Sequence, residues 1–69
     1  MKIELTDTRE YKDKERDSEV ISLFTELGIN YDAYNDNEGI IMMFTRNASM
    51  QKIKSIAKKA GYAASKLDW

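Results

Sequence analysis

The sequence predicts a two-layer α+β sandwich of element order β-α-β-β-α-β, the ferredoxin-like arrangement, built as one domain over residues 1–69. Three observations predict it. Short segments near the start and middle of the chain alternate with period two, two longer stretches carry apolar residues at helical spacing, and each of those stretches stops at a glycine, Gly28 and Gly61. Right-handed crossovers then set the first and third strands at the centre of an antiparallel sheet, flanked by the second and fourth, with both helices on one face.

Lys2-Ile3-Glu4-Leu5-Thr6 alternates polar and apolar, so Ile3 and Leu5 share the buried face of a strand; taken by itself the segment is short enough to read as an edge. Residues 7–16 crowd charges and hydroxyls around Tyr11 without an apolar stripe and read as a charged loop that turns helical only late. From Asp17 the period changes. Val20, Ile21, Leu23, Phe24 and Leu27 mark a helix of ~11 residues, with Asp17 or Ser18 placed to accept its first free amide protons. Gly28 stands where a residue of positive φ ends a helix, and Ile29 can close onto Phe24 as in a Schellman ending.

Ile29 to Tyr34 alternates again, residues 35–39 (Asn-Asp-Asn-Glu-Gly) form a dense turn signal, and residues 40–46 follow as a third strand. That strand is apolar on both faces, Ile40, Met42 and Phe44 on one and Ile41 and Met43 on the other, as in a central strand covered from both sides. Asn47 or Ser49 can cap a second helix whose stripe is Met50, Ile53, Ile56, Ala57 and Ala60. After Gly61, residues 62–69 read as a fourth strand with Ala63, Leu67 and Trp69 on one face. The alternative is a mobile tail that leaves the first strand at an edge, open to pairing with a second copy.

Composition excludes most chemistry. The chain has neither cysteine nor histidine, which removes thiol nucleophiles, disulfides, thiolate or imidazole metal sites and Ser-His or Cys-His pairs. No enzyme activity, cofactor or metal is expected. Asp32, Asp36 and Glu38 are the densest oxygen cluster, but their spacing is not that of a calcium loop, and a solvated hairpin turn accounts for them. The net charge of −1 divides unevenly: residues 1–46 hold six basic against eleven acidic side chains, a net of −5, and residues 47–69 hold five lysines against Asp68, a net of +4. The lysines fit a solvated helix face. The third strand lacks the aromatic order of an RNA-binding sheet, so nucleic acid is not an expected partner. No signal peptide or membrane span is expected, and a cytoplasmic location is the default.

Residues 24–34 (Phe-Thr-Glu-Leu-Gly-Ile-Asn-Tyr-Asp-Ala-Tyr), 38–44 (Glu-Gly-Ile-Ile-Met-Met-Phe) and 56–62 (Ile-Ala-Lys-Lys-Ala-Gly-Tyr) resemble an ACT domain, a small βαββαβ regulatory module that binds amino acids and usually pairs through its sheet. The resemblance covers about residues 18–64. It implies a ligand site near the start of the first helix and at the Asn of Gly-Ile-Asn, here Asp17, Ser18 and Asn30. The Pro-Gly turn that commonly precedes that helix in the family is replaced by Glu15-Arg16-Asp17-Ser18. Helix capping for Asp17 and Ser18 and a turn role for Asn30 stand beside the ligand reading. Residues 50–61 are also similar to the end of HicA-type ribonuclease toxins. Those need a histidine soon after the hairpin glycine, where this chain has Ile40 and Ile41.

The Ile40–Phe44 run is the most informative feature, because two helices on one side of a sheet hide only one of its faces. The remaining face, with Ile41 and Met43 or else Ile40, Met42 and Phe44, wants a partner; Tyr34, Ile41, Met43 and Phe44 are the expected partner-binding residues, and the expected partner is a second copy or another protein. The function expected is a non-enzymatic binding or regulatory module acting through its sheet face, in its sharper form an ACT-like amino-acid-responsive domain. The alternative is a small inhibitor, of the kind carried by phages and mobile elements, that docks on a larger host protein.

Overall fold

The computed structural model describes residues 1–67 of the chain. Its elements are β1 (Lys2–Asp7), α1 (Lys14–Glu26), β2 (Tyr31–Asn37), β3 (Ile40–Thr45), α2 (Met50–Lys59) and β4 (Tyr62–Leu67). The four strands form one antiparallel sheet in the order β2-β3-β1-β4, so the fold is the ferredoxin-like sandwich. β1 is central rather than an edge: it pairs with β3 on one side and with β4 on the other, and the fourth strand that removes its free edge forms from Tyr62 to Leu67. Asp68 and Trp69, the end of the strand expected from sequence, lie outside the described residues.

α1 starts earlier than its apolar periodicity suggests. Asp13, in extended conformation, is the cap, and its side chain accepts from the Glu15 backbone N–H at 2.7 Å. The charged loop therefore ends at Asp13, and Asp17 and Ser18 lie within the helix rather than capping it. The buried stripe of α1 is Asp17, Val20 and Phe24. Its first member is a carboxylate, so the hydrophobic signal appears only one turn later. At the other end Gly28 has φ +75°, and the Ile29 N–H reaches the Phe24 carbonyl at 3.0 Å, the long hydrogen bond of a Schellman ending. Ser49 caps α2 by accepting from the Lys52 N–H. Asn47 instead ties the α1–β2 connection, accepting from the Asn30 N–H at 2.9 Å and donating to the Gly28 carbonyl at 3.2 Å.

The β2–β3 hairpin is tighter than its five turn-forming residues imply. β2 runs to Asn37, leaving Glu38-Gly39 as the turn, and the polar residues are absorbed by a register shift between Tyr34 and Asn37. The Asn35 side-chain amide stabilises that irregularity by donating to the Asn37 and Ile40 carbonyls.

Ile3 and Leu5 of β1, Ile41 and Met43 of β3, Val20 and Phe24 of α1, Ile53 and Ala57 of α2, with Ile29 and Tyr62, form one buried core between sheet and helices. Each large apolar side chain buried this way contributes about 1.5–3 kcal/mol. Among the described residues no helix is long and apolar enough to cross a membrane.

Candidate functional site

Register fixes which side chains share the sheet face away from the helices. Residues directly opposite in an antiparallel pair point the same way. With Ile3 and Leu5 buried, Lys2, Glu4 and Thr6 face outward, and with them their partners Phe44, Met42 and Ile40 on β3. β2 adds Asp32 opposite Phe44 and Tyr34 opposite Met42, while β4 adds Leu67 opposite Lys2 and Ser65 opposite Glu4. Two complete rows cross the sheet: Asp32-Phe44-Lys2-Leu67 and Tyr34-Met42-Glu4-Ser65.

Ile40, Met42 and Phe44 remain half-exposed on this face, and Tyr34 is 58% exposed. Together they make an apolar patch on the β2–β3 half, with an open depression of about 150 Å³ lined by Lys2, Asp32, Tyr34, Met42, Met43 and Phe44. The Arg46 guanidinium lies 4.8 Å from the Phe44 ring centroid and 3.8 Å from Asp32. Phe44 thus gains a polar lid on one flank while its ring stays accessible. A methionine and three other large apolar or aromatic side chains on a layer without helices form an adaptable contact surface.

The opposite, hairpin end of the molecule holds a buried polar cluster. Asp7, at the end of β1, accepts the Arg9 backbone N–H at 2.9 Å and its Nε at 3.1 Å, and lies 3.6 Å from the Arg16 guanidinium. Burial pushes the Asp7 carboxyl up, but the Arg9 hydrogen bonds and the charges of Arg9 and Arg16 outweigh it and hold the group below the ordinary carboxylate range. Asp17, fully buried, accepts the Gly39 N–H at 2.8 Å and the Tyr62 hydroxyl. Burial, then the hydrogen bond to Asp17, raises the Tyr62 phenol well above its usual range. Gly39 is required here: its φ is +80°, and a Cβ would meet the Lys12 side chain at 2.6 Å. This cluster fastens β1, the start of α1, the hairpin turn and β4 to one another.

The recess between α1 and α2 contains Arg9, Arg16 and Lys59, but Arg9 is hydrogen-bonded to Asp7, Arg16 is ion-paired with it at 3.6 Å while its buried Nε has no hydrogen-bond partner among the described residues, and Glu19 shares the lining. Among the described residues no three acidic side chains gather closely enough to hold a metal ion.

The residues expected to act separate sharply. Tyr34 and Phe44 lie on the open face, whereas Ile41 and Met43 are buried at 0% and 4% exposure under the helices and present no side chain to a partner. The apolar run on β3 has no phase of its own, and pairing with β1 sets it. Asp17 is consumed by Gly39 and Tyr62, Ser18 is exposed in the first turns of α1, and Asn30 lies beyond the other end of that helix, ~15 Å farther along its axis. The fold does not bring these three together. Sequence reasoning leaves Ile40, Met42 and Phe44 as the alternative to Ile41 and Met43 for the face that wants a partner, and pairing with β1 turns the former set outward; it misses Asp7, whose burial only the Arg9 and Arg16 contacts explain. Comparison with known protein families, with curated proteins and with solved structures returns no match to this chain.

Proposed function

We propose that this chain is a non-enzymatic binding module that works by docking a protein surface on the open face of its sheet. The observation that carries the reading is the contiguous patch of Ile40, Met42, Phe44 and Tyr34 on the layer that neither helix covers. The missing histidine and cysteine support a binding rather than a catalytic role. The amino-acid site implied by the ACT resemblance is not carried into the proposal, because Asp17 is spent on the hairpin and lies far from Asn30.

Phe44→Glu tests the reading, since it places a charge in the patch without touching the core. The variant is expected to melt within a few degrees of the parent and to lose association, followed by sedimentation for self-association and by pull-down for a second protein. Leu23→Glu, on the helix layer where Leu23 is 37% exposed, is expected to keep it. Association that survives Phe44→Glu and fails in Leu23→Glu would move the docking surface to the helices.

A further inference from the structure

We propose that the occupant of the open face is a second copy of this chain, docked face to face about a two-fold axis that runs across the strands between the two rows of side chains. The inference rests on the docking reading above and adds the partner and its register.

An axis in that position keeps each strand over its own counterpart and reverses strand direction, so that each residue of one row meets the residue of the other row from the same strand of the partner copy. On β1, Lys2 then faces Glu4 of the second copy, and Glu4 faces its Lys2. On β3, Phe44 faces Met42, an aromatic ring against a thioether. On β2, Asp32 faces the Tyr34 hydroxyl, a carboxylate against a donor. These three pairings are chemically matched; the fourth, on β4, sets Leu67 against Ser65 at the margin, and each occurs twice. An axis along the strands between β1 and β3 would instead set Glu4 on Met42, burying a carboxylate without a cation. The charge pattern of the face therefore favours the axis across the strands over the axis along them.

Size sets the strength. Four strands ~4.8 Å apart and about six residues long give a face of roughly 20 × 20 Å, or ~400 Å² in projection per copy, about a tenth of the 4597 Å² surface. The ~800 Å² that two such faces cover together is about half a standard interface, in the range of weak and transient contacts, and predicts a concentration-dependent dimer rather than a permanent one. Two twisted sheets pack at about 30°, so the central strands stay in register while the corners splay. Lys2, Glu4, Met42 and Phe44, on β1 and β3, then carry the contact, and Asp32 and Tyr34 form its rim.

Charge exchange tests the register. Sedimentation equilibrium from micromolar to millimolar chain is measured for the parent, Lys2→Glu, Glu4→Lys and the double exchange, with thermal melts to confirm that each is folded. Each single reversal creates two like-charge contacts and is expected to weaken the dimer about a hundredfold. The double exchange is expected to restore it, and an equimolar mixture of the two single variants is expected to form a heterodimer by native mass spectrometry. Should a single reversal fail to fold, Lys2→Gln and Glu4→Gln are each expected to weaken the dimer about tenfold. A chain monomeric at millimolar concentration overturns the proposal, as does a dimer indifferent to these charges or a folded double exchange that does not recover. If a monomer still binds another protein in a Phe44-dependent way, docking on the face stands and self-pairing falls; if Phe44→Glu changes no association at all, both fall.

Discussion

β3 offers nearly the same chemistry to two layers, and the two layers use it differently. Met43 and Ile41 point at the helices and are sealed among Val20, Phe24 and Ile53, whereas Met42 and Ile40, one residue away on the same strand, stand half-exposed on the open face. Side-chain type does not separate a core residue from a contact residue here. What separates them is whether the chain supplies its own cover.

The sharpest way to break this comparison is to place one charge at each of two adjacent positions. Met43→Glu drives a carboxylate into a core with no cation beside it. The penalty of more than about 4 kcal/mol is comparable to the whole stability of a domain this small, so the variant is expected to be unfolded by circular dichroism in water. Met42→Glu is expected to stay folded, with its unfolding free energy in urea lowered by about 1 kcal/mol or less, and to lose association. Equal damage from both would mean that the open face belongs to the folding core.

The covered layer is not uniformly apolar, and its hairpin end gives the next largest effect. Asp17 has no facing cation among its hydrogen-bond partners; it satisfies the buried Gly39 N–H and the Tyr62 hydroxyl. Asp17→Ala strands both donors and opens a gap at the start of the α1 stripe, an expected loss of about 2–4 kcal/mol in urea unfolding. Tyr62→Phe removes one donor and is expected to cost about 1–3 kcal/mol. A loss from Asp17→Ala no larger than that of an exposed α1 substitution such as Ser18→Ala would show that the turn is held by other contacts.

Local signals in the sequence carried much of this architecture. Gly28, with Phe24 and Ile29 around it, marked the end of α1; the stripe of α2 and the alternation of Lys2 to Thr6 were equally direct. What escaped were features set by partners distant in the chain. Asp17 interrupts an apolar stripe for the sake of residues 22 and 45 positions away, so α1 read as shorter than it is. The two faces of β3 could not be told apart because an apolar run carries no phase; the phase comes from Ile3 and Leu5 across the sheet. For the same reason Ile41 and Met43 looked like partner contacts until pairing turned them inward. The three residues named by the resemblance are spread along α1, Asp17 and Ser18 in its first turns and Asn30 past its end, a separation that residue types do not display.

Asp7 gives the smallest effect and the one with a defined pH signature. Unlike Asp17 it is paired with cations, Arg9 at 3.1 Å and Arg16 at 3.6 Å, and its carboxyl titrates below its ordinary value in the folded chain. The unfolded chain takes up the proton near pH 4, before the folded one does. The stabilisation is therefore complete above about pH 4 and is lost as pH falls through the lower folded value. Arg9 and Arg16 are 39% and 26% exposed, and solvent screening limits the contribution to about 1 kcal/mol. Asp7→Asn is accordingly expected to lower the unfolding free energy measured in urea at pH 7 by that amount and to converge on the parent as pH falls below the folded value of the Asp7 carboxyl. A constant gap through that fall would assign the role of Asp7 to its Arg9 backbone turn, which an amide preserves only in part, rather than to its charge.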